Sequence, residues 1–319
     1  MRPDDQLSIY ELRTPSEKTR DLLDGCDLKA LLGPDLIGYH FEEDFAFLFC
    51  SAKMDLRSFL ATFPGMELRE EHRLRYDEWQ DGAGAPPLLL GPLSVIHRDP
   101  DLEYPEALFA DDFLDFLNRD GNEVYRKSVF PESAPRDPGP YPEPLPPLVM
   151  DPGLAFGYGG HPTTKACLSF LLRVMSPQNP NKPQTFLDLG TGTGVLALAA
   201  LRLGGKEALG VDYSHLAREC AANNARLNRL SRKARFAYGR ASDYAKTPAE
   251  LVFSNIPLAV HLDLLEKGAY RDRRYLILSG LLPKEAEVLT ARLRDDMVLK
   301  ELDNHRDDRW SSWLFEVRE

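Results

Sequence analysis

The chain has no run of about 18 apolar residues, so no part of it reads as a membrane-spanning helix. Its start, "MRPDDQLSIYELR", lacks the apolar centre of a secretory signal. Metal-ligand spacing is missing too. The four cysteines, Cys26, Cys50, Cys167 and Cys220, lie far apart and fit no such pattern. We therefore expect reduced thiols, a cytoplasmic protein and no bound metal. Positive charge is in short supply: 39 Lys and Arg stand against 50 Asp and Glu, a net charge of -11. That balance argues against direct, nonspecific binding of a nucleic-acid backbone. The densest basic run, "RLNRLSRKAR" from Arg226 to Arg235, reads as a solvated helix end and turn. An acidic surface suits a basic protein partner, through steering rather than affinity.

At 319 residues and 43 % hydrophobic content, the chain can build two buried cores. Residues 1–80 alternate as strand, helix, strand, strand, helix, strand. The strands are "LSIYEL", the pair "DLIGYHFEEDFAFLFCS" around a turn at Glu42 to Asp44, and "MELREEHRLRY". The helices are "SEKTRDLLDGCDLKALLG" and "MDLRSFLATF". That order predicts a small α+β, ferredoxin-like domain suited to recognition. Residues 81–149 read as a bridge. It holds a short strand or two, an amphipathic helix carrying Leu108, Phe109, Phe113, Phe116 and Leu117 on one face, and a proline-rich linker. Eight prolines between Pro131 and Pro147 fix an extended, stiff connector.

Residues 150–319 alternate strand and helix, which predicts an α/β, doubly wound, mainly parallel sheet of seven strands. "MVLKELDNH" and "WSSWLFEVRE" close it as a C-terminal antiparallel hairpin. Ligands of such sheets bind at the carboxyl ends of the strands. "DLGTGTG" sits at one such end, where Gly190, Gly192 and Gly194 let backbone approach a ligand. A dinucleotide loop wants a small residue five after its first glycine; Val195 stands there and disfavours a nicotinamide oxidoreductase. Asp212 ends the next strand, 22 residues after Gly190, where a carboxylate grips a ribose diol. Asp243 follows a third strand and is placed to meet an adenine amino group.

A second glycine-rich segment, "DPGLAFGYGGHPTT", runs directly into an apolar helix. Pro162 suits the first turn, and Thr163 and Thr164 bring hydroxyls and amides to its positive end. A carboxylate fits there. His161 reads as a local hydrogen-bonding residue, because no partner ligand lies near it in sequence. "FSNIP" ends a further strand, and the Asn255 side-chain oxygen there can accept from a reacting amine. The Ile256 carbonyl offers a second acceptor. Asn-Ile-Pro also echoes the signature of enzymes that methylate base amines, but Leu258 stands where the stacking aromatic belongs. Trp310 and Trp313 read as core residues.

"DPGLAFGYGGHPTT", "LDLGTGTGVLALAALRLG", "GVDYS" and "SNIPLA" together resemble the ribosomal protein L11 lysine methyltransferases, class I enzymes that use S-adenosylmethionine. The resemblance covers Met150 to the C-terminus and implies cofactor contact by Thr164, Gly190, Asp212 and Asn255. The full candidate set for S-adenosylmethionine is Phe156, Thr164, Asp188, Gly190, Gly192, Gly194, Asp212, Asp243 and Asn255. Asn255 is the candidate catalytic residue. The implied partner is a protein substrate, a basic ribosomal protein. Two departures bear on the substrate: the family has threonine where this chain has Tyr158 and Gly160, and leucine at Pro257. Methylation of a small-molecule or nucleic-acid amine, or a cofactor-binding module without catalysis, are the alternatives.

Overall fold

The computed structural model describes residues 6–13, 28–42, 45–63, 65–75, 87–99, 101–129, 141, 143–151, 153, 155, 157 and 159–318. Its contacts divide the chain into two compact units, Met1–Gly84 with Ser214–Leu216, and Ala85–Tyr213 with Ala217–Glu319.

In the first unit, β1 (Gln6–Arg13), β2 (Leu36–Glu42), β3 (Phe45–Cys50) and β4 (Glu67–Arg75) form one sheet in the order β2-β3-β1-β4. The described pairings, β1 with β3, β1 with β4 and β2 with β3, are all antiparallel. This is the expected ferredoxin-like arrangement. Short helices α1 (Leu28–Leu32) and α2 (Arg57–Thr62) accompany it. Tyr10, Leu12, Leu48, Phe59 and Phe63 build its core. The expected helix before Leu28, Cys26 and the turn residues Glu43 and Asp44 lie outside the described residues.

The second unit opens with a small sheet: β5 (Leu88–Leu90) antiparallel to β6 (Leu93–His97), and β6 parallel to β7 (Leu148–Met150). The single amphipathic helix expected here is instead two pieces, a 3-10 turn Glu106–Phe109 and α3 (Phe113–Leu117). Ala110 between them is extended, at φ -82° and ψ 164°. The break leaves Asp111 and Asp112 exposed while Leu108, Phe109, Phe113 and Leu117 still enter one cluster. A helix that was not expected, α4 (Glu123–Val129), adds Val129 to that cluster. Most of the proline-rich stretch lies outside the described residues.

The main sheet takes β8 (Thr185–Leu189), β9 (Glu207–Asp212), β10 (Ala234–Tyr238), β11 (Leu251–Asn255), β12 (Tyr275–Leu281), β13 (Val298–Arg306) and β14 (Ser311–Arg318). Their order is β10-β9-β8-β11-β12-β14-β13. β8 to β12 pair in parallel, and β14 runs antiparallel to both β12 and β13. The expected seven-stranded class I methyltransferase sheet with its C-terminal hairpin is therefore present. The strands read as continuous apolar runs because helices cover both faces. One face carries Phe186, Phe253 and Ile277 against α5 (Pro162–Val174) and α6 (Val195–Arg202). The other carries Leu187, Val252 and Leu278 with residues of α8 (Leu258–Glu266) and α9 (Pro283–Asp296). Trp313 is core on this second face.

α7 (His215–Leu227) has a second task. Its buried Asn224, with Asn228 just beyond its end, pairs with backbone as a strand would. Asn228 Oδ1 accepts from Val149 N at 2.8 Å, and its Nδ2 donates to Val149 O at 2.6 Å. Asn224 Oδ1 accepts from Asp151 N at 2.8 Å, and its Nδ2 donates to Thr193 O at 2.9 Å. Each amide satisfies backbone groups that burial would otherwise orphan. The exposed Arg226, Arg229, Arg232, Lys233 and Arg235 make the basic run the solvated turn expected.

Candidate active site

The site is built at the carboxyl ends of β8, β9 and β11. After β8 the chain turns through Gly190 (φ +79°), Gly192 (φ +53°) and Gly194 (φ +83°) before α6 starts. Gly190 N and Thr191 N both donate to Val211 O on β9, at 2.9 and 3.0 Å. Gly192 N donates to Asp212 Oδ2 at 2.9 Å, so the loop itself orients that buried carboxylate.

Asp188 lies below the loop, 2 % exposed, and its Oδ2 accepts from Thr191 Oγ1 at 2.7 Å. Burial pushes its carboxyl up to about 7, with the nearby Asp212 charge adding to the rise. The Thr191 hydroxyl and the Ala197 amide pull the other way. Desolvation disfavours the charged form, and two hydrogen bonds only partly offset it.

The second wall is the start of α5. His161 takes the N-cap position, Pro162 the first turn, and Thr163 N donates to His161 Nδ1 at 3.4 Å. The sequence marked His161 as a local hydrogen-bonding residue, and the cap is what it bonds. Its Nδ1 is also 2.7 Å from Thr163 Oγ1. Asn255 Nδ2 donates to the same Thr163 hydroxyl at 3.1 Å. A strand end and a helix start 92 residues apart are thereby joined. The sequence placed the Thr163 hydroxyl at the start of this helix, but not its bond to Asn255, which joins residues far apart in the chain. Trp310, read as core, is instead half-buried and meets His161 edge-on, with ring centroids 5.1 Å apart.

Thr164 is 1 % exposed, and its Oγ1 has no hydrogen-bond partner among the described residues. A buried hydroxyl at a helix start, left unpaired, suits an anionic ligand group. The loop, the oriented Asp212 and this hydroxyl all fit a nucleoside carrying an amino-acid carboxylate. Asp243 is exposed, and its Oδ2 accepts from Arg240 N at 3.2 Å, closing the turn after β10. Phe156 and Tyr158 lie outside the described residues, while Gly157 O accepts from Thr193 Oγ1 at 2.7 Å. Cys50, Cys167 and Cys220 are buried, and burial pushes each thiol up to about 12.

The family model described as ribosomal protein L11 methyltransferase (PrmA) matches residues 143–317, more than half of the chain and all of this site. The chain belongs to that family. A ribosomal protein L11 methyltransferase of Thiobacillus denitrificans is 38 % identical over 150 residues, which is 46 % of this chain and 47 % of that protein. One of Ectopseudomonas mendocina is 39 % identical over 146 residues, 45 % of this chain and 48 % of that one. This chain thus spans about half the length of the curated relatives it matches. A solved ribosomal protein L11 methylase of Lactobacillus delbrueckii subsp. bulgaricus is 28 % identical with a TM-score of 0.45, covering 54 % of this chain and 86 % of that one. Among the described residues, no helix is long and apolar enough to cross a membrane.

Proposed function

We propose that this chain is an S-adenosylmethionine-dependent methyltransferase that N-methylates amines of a protein substrate, as its relatives' name implies for ribosomal protein L11. The observation that carries this is the bond from Asn255 Nδ2 to Thr163 Oγ1. With its amide nitrogen held by the helix, Asn255 keeps Oδ1 to accept from an incoming amine. The cofactor, when bound, supplies an electrophilic methyl on a sulfonium. Asp212 and the Gly190–Gly194 loop would hold its sugar. Thr164 and the α5 amides would hold its carboxylate end. Asp188 and Phe156 would flank it, and Asp243 would stand near its base.

Methyl transfer is mainly a problem of orientation. A lysine amine must also lose a proton first, which costs roughly 4–5 kcal/mol at neutral pH from a pKa of about 10.4. Removal from water, next to a cationic sulfonium, lowers that cost. The acidic balance of the chain favours encounter with a basic ribosomal protein in the cytoplasm. In this reading residues 1–80 recognise the substrate, 81–149 bridge, and 150–319 perform the chemistry.

The test is transfer of a labelled methyl group into a cell lysate split into protein, nucleic-acid and small-molecule fractions. Label in a ribosomal protein, retained by its lysine after hydrolysis, is the expected result. Label confined to either other fraction overturns the protein reading. Cofactor-induced thermal stabilisation with no label anywhere would leave a binding module. Asn255→Ala should lower turnover by on the order of 10²-fold or more while cofactor affinity changes far less.

A further inference from the structure

A buried polar cluster lies under the Asn255–Pro257 turn, on the sheet face opposite Thr163. Its centre is His261, in the first turn of α8 and 0 % exposed. His261 Nε2 is 3.0 Å from Ser279 O, and Nδ1 is 2.7 Å from the Tyr270 hydroxyl. A carbonyl oxygen only accepts, so Nε2 carries the proton, and Nδ1 of the neutral ring accepts from Tyr270. Burial pushes the ring down to about 4, against the pull of the Ser279 and Ile256 carbonyls. The ring is therefore neutral across the physiological range.

The cluster ties together the strand ends that carry the site. The Tyr270 hydroxyl is 3.2 Å from Ser254 Oγ, on the residue before Asn255. Ser279 O also accepts from Ile256 N, on the residue after Asn255, at 3.2 Å. Ser279 Oγ is 2.6 Å from Ser312 Oγ on β14. Backbone closes the circuit, because His261 N donates to Pro257 O at 3.2 Å. Asn255 is thus held by Thr163 through its side chain, and its two neighbours are linked to His261, Ser254 through its hydroxyl by way of Tyr270 and Ile256 through its amide by way of Ser279 O.

We propose that His261 is a positioning residue for methyl transfer, acting through the Asn255–Pro257 turn. The proposal rests on the methyltransferase reading above. In-line displacement tolerates little error: a misplacement of about 1 Å can cost on the order of 10²-fold in rate. An apolar side chain would fill the His261 site without the cost of burying a polar ring. Removing the imidazole takes the ring N–H from the Ser279 and Ile256 carbonyls but leaves other bonds in place. Ser279 O would keep Ile256 N, and Tyr270 would keep Ser254. The brace can therefore be cut while the fold stands.

The experiment compares His261→Phe and His261→Gln in the full chain. It reads kcat and KM for methylation, the affinity for S-adenosylhomocysteine by calorimetry, and the exchange rate of the Ile256 amide by NMR. His261→Phe should lower kcat by on the order of tenfold or more with little change in S-adenosylhomocysteine affinity, and should speed Ile256 exchange. His261→Gln keeps an N–H donor and should recover most of both. If the Phe variant does not fold, Tyr270→Phe, which removes the donor to Nδ1, should shift kcat and exchange in the same direction by less. Wild-type kcat in the Phe variant, equal losses of kcat and cofactor affinity, or a Gln variant no better than Phe would each overturn the proposal. A wild-type chain that transfers no methyl overturns the methyltransferase reading instead. The Ile256 exchange rate still decides the brace in that case, and an unchanged rate rejects it.

Discussion

The two glycine-rich segments share a composition but need their glycines for different reasons. At Gly190, in the loop after β8, an added Cβ would stand 2.5 Å from Ile256 Cγ2, in a backbone conformation of φ +79°. At Gly157, before α5, φ is +92°, yet an added Cβ would meet nothing within 4 Å among the described residues. The first position is closed by packing and by conformation; the second is closed by conformation alone. One loop is thus a packed part of the sheet edge. The other is a backbone path, held at Gly157 O by the Thr193 hydroxyl. A string of glycines in a sequence does not separate these cases, because both print the same letters.

Four measurements test that contrast. The largest effect should come from the floor of the packed loop. Asp188 binds its proton more tightly folded than unfolded, since its carboxyl rises from 3.8 to about 7. Its contribution to stability is complete below pH 4 and is lost as pH rises to about 7, on the order of 4 kcal/mol. Asp188→Asn, neutral throughout, should flatten that slope in thermal melts taken across this window. A slope unchanged in the variant would assign the pH dependence to other groups. Next, Gly190→Ala should destabilise the chain by about 3 kcal/mol, adding left-handed strain to overpacking. Denaturant titration reads it. Asp212→Ala should then weaken S-adenosylhomocysteine binding by about 2 kcal/mol, the scale of a hydrogen bond to a charged group. Gly157→Ala should cost about 1 kcal/mol, from backbone strain alone. If it cost as much as Gly190→Ala, the distinction between the segments would fail.

Much of the candidate site's geometry was legible because its signals are local. The order of loop, strand and acid located Gly190 and Asp212, and "HPTT" located the start of α5. The alternation of strand and helix foretold the sheet, and two late strands around "RDDR" foretold the hairpin. What escaped depends on partners distant in the chain. Thr163 became a hub only when Asn255 was brought to it. Asn224 and Asn228 read as ordinary helix residues because their partners, Val149, Asp151 and Thr193, lie on other elements. The helix expected around Phe109 and Phe113 failed because apolar spacing records which residues are buried. It does not record whether the backbone between them stays helical. β7 escaped because only three residues after a proline run sufficed, once β6 and Asn228 supplied pairing on both sides.

Asn224 joins the two glycine segments with one side chain, accepting from the segment before α5 at Asp151 and donating to the loop after β8 at Thr193. Neither can drift without pulling on the other. A one-residue insertion within α7 ahead of Asn224 would turn it and Asn228 by about 100° and release both grips together. The helix that looks least chemical in this half of the chain is therefore the one whose length has the least freedom to change.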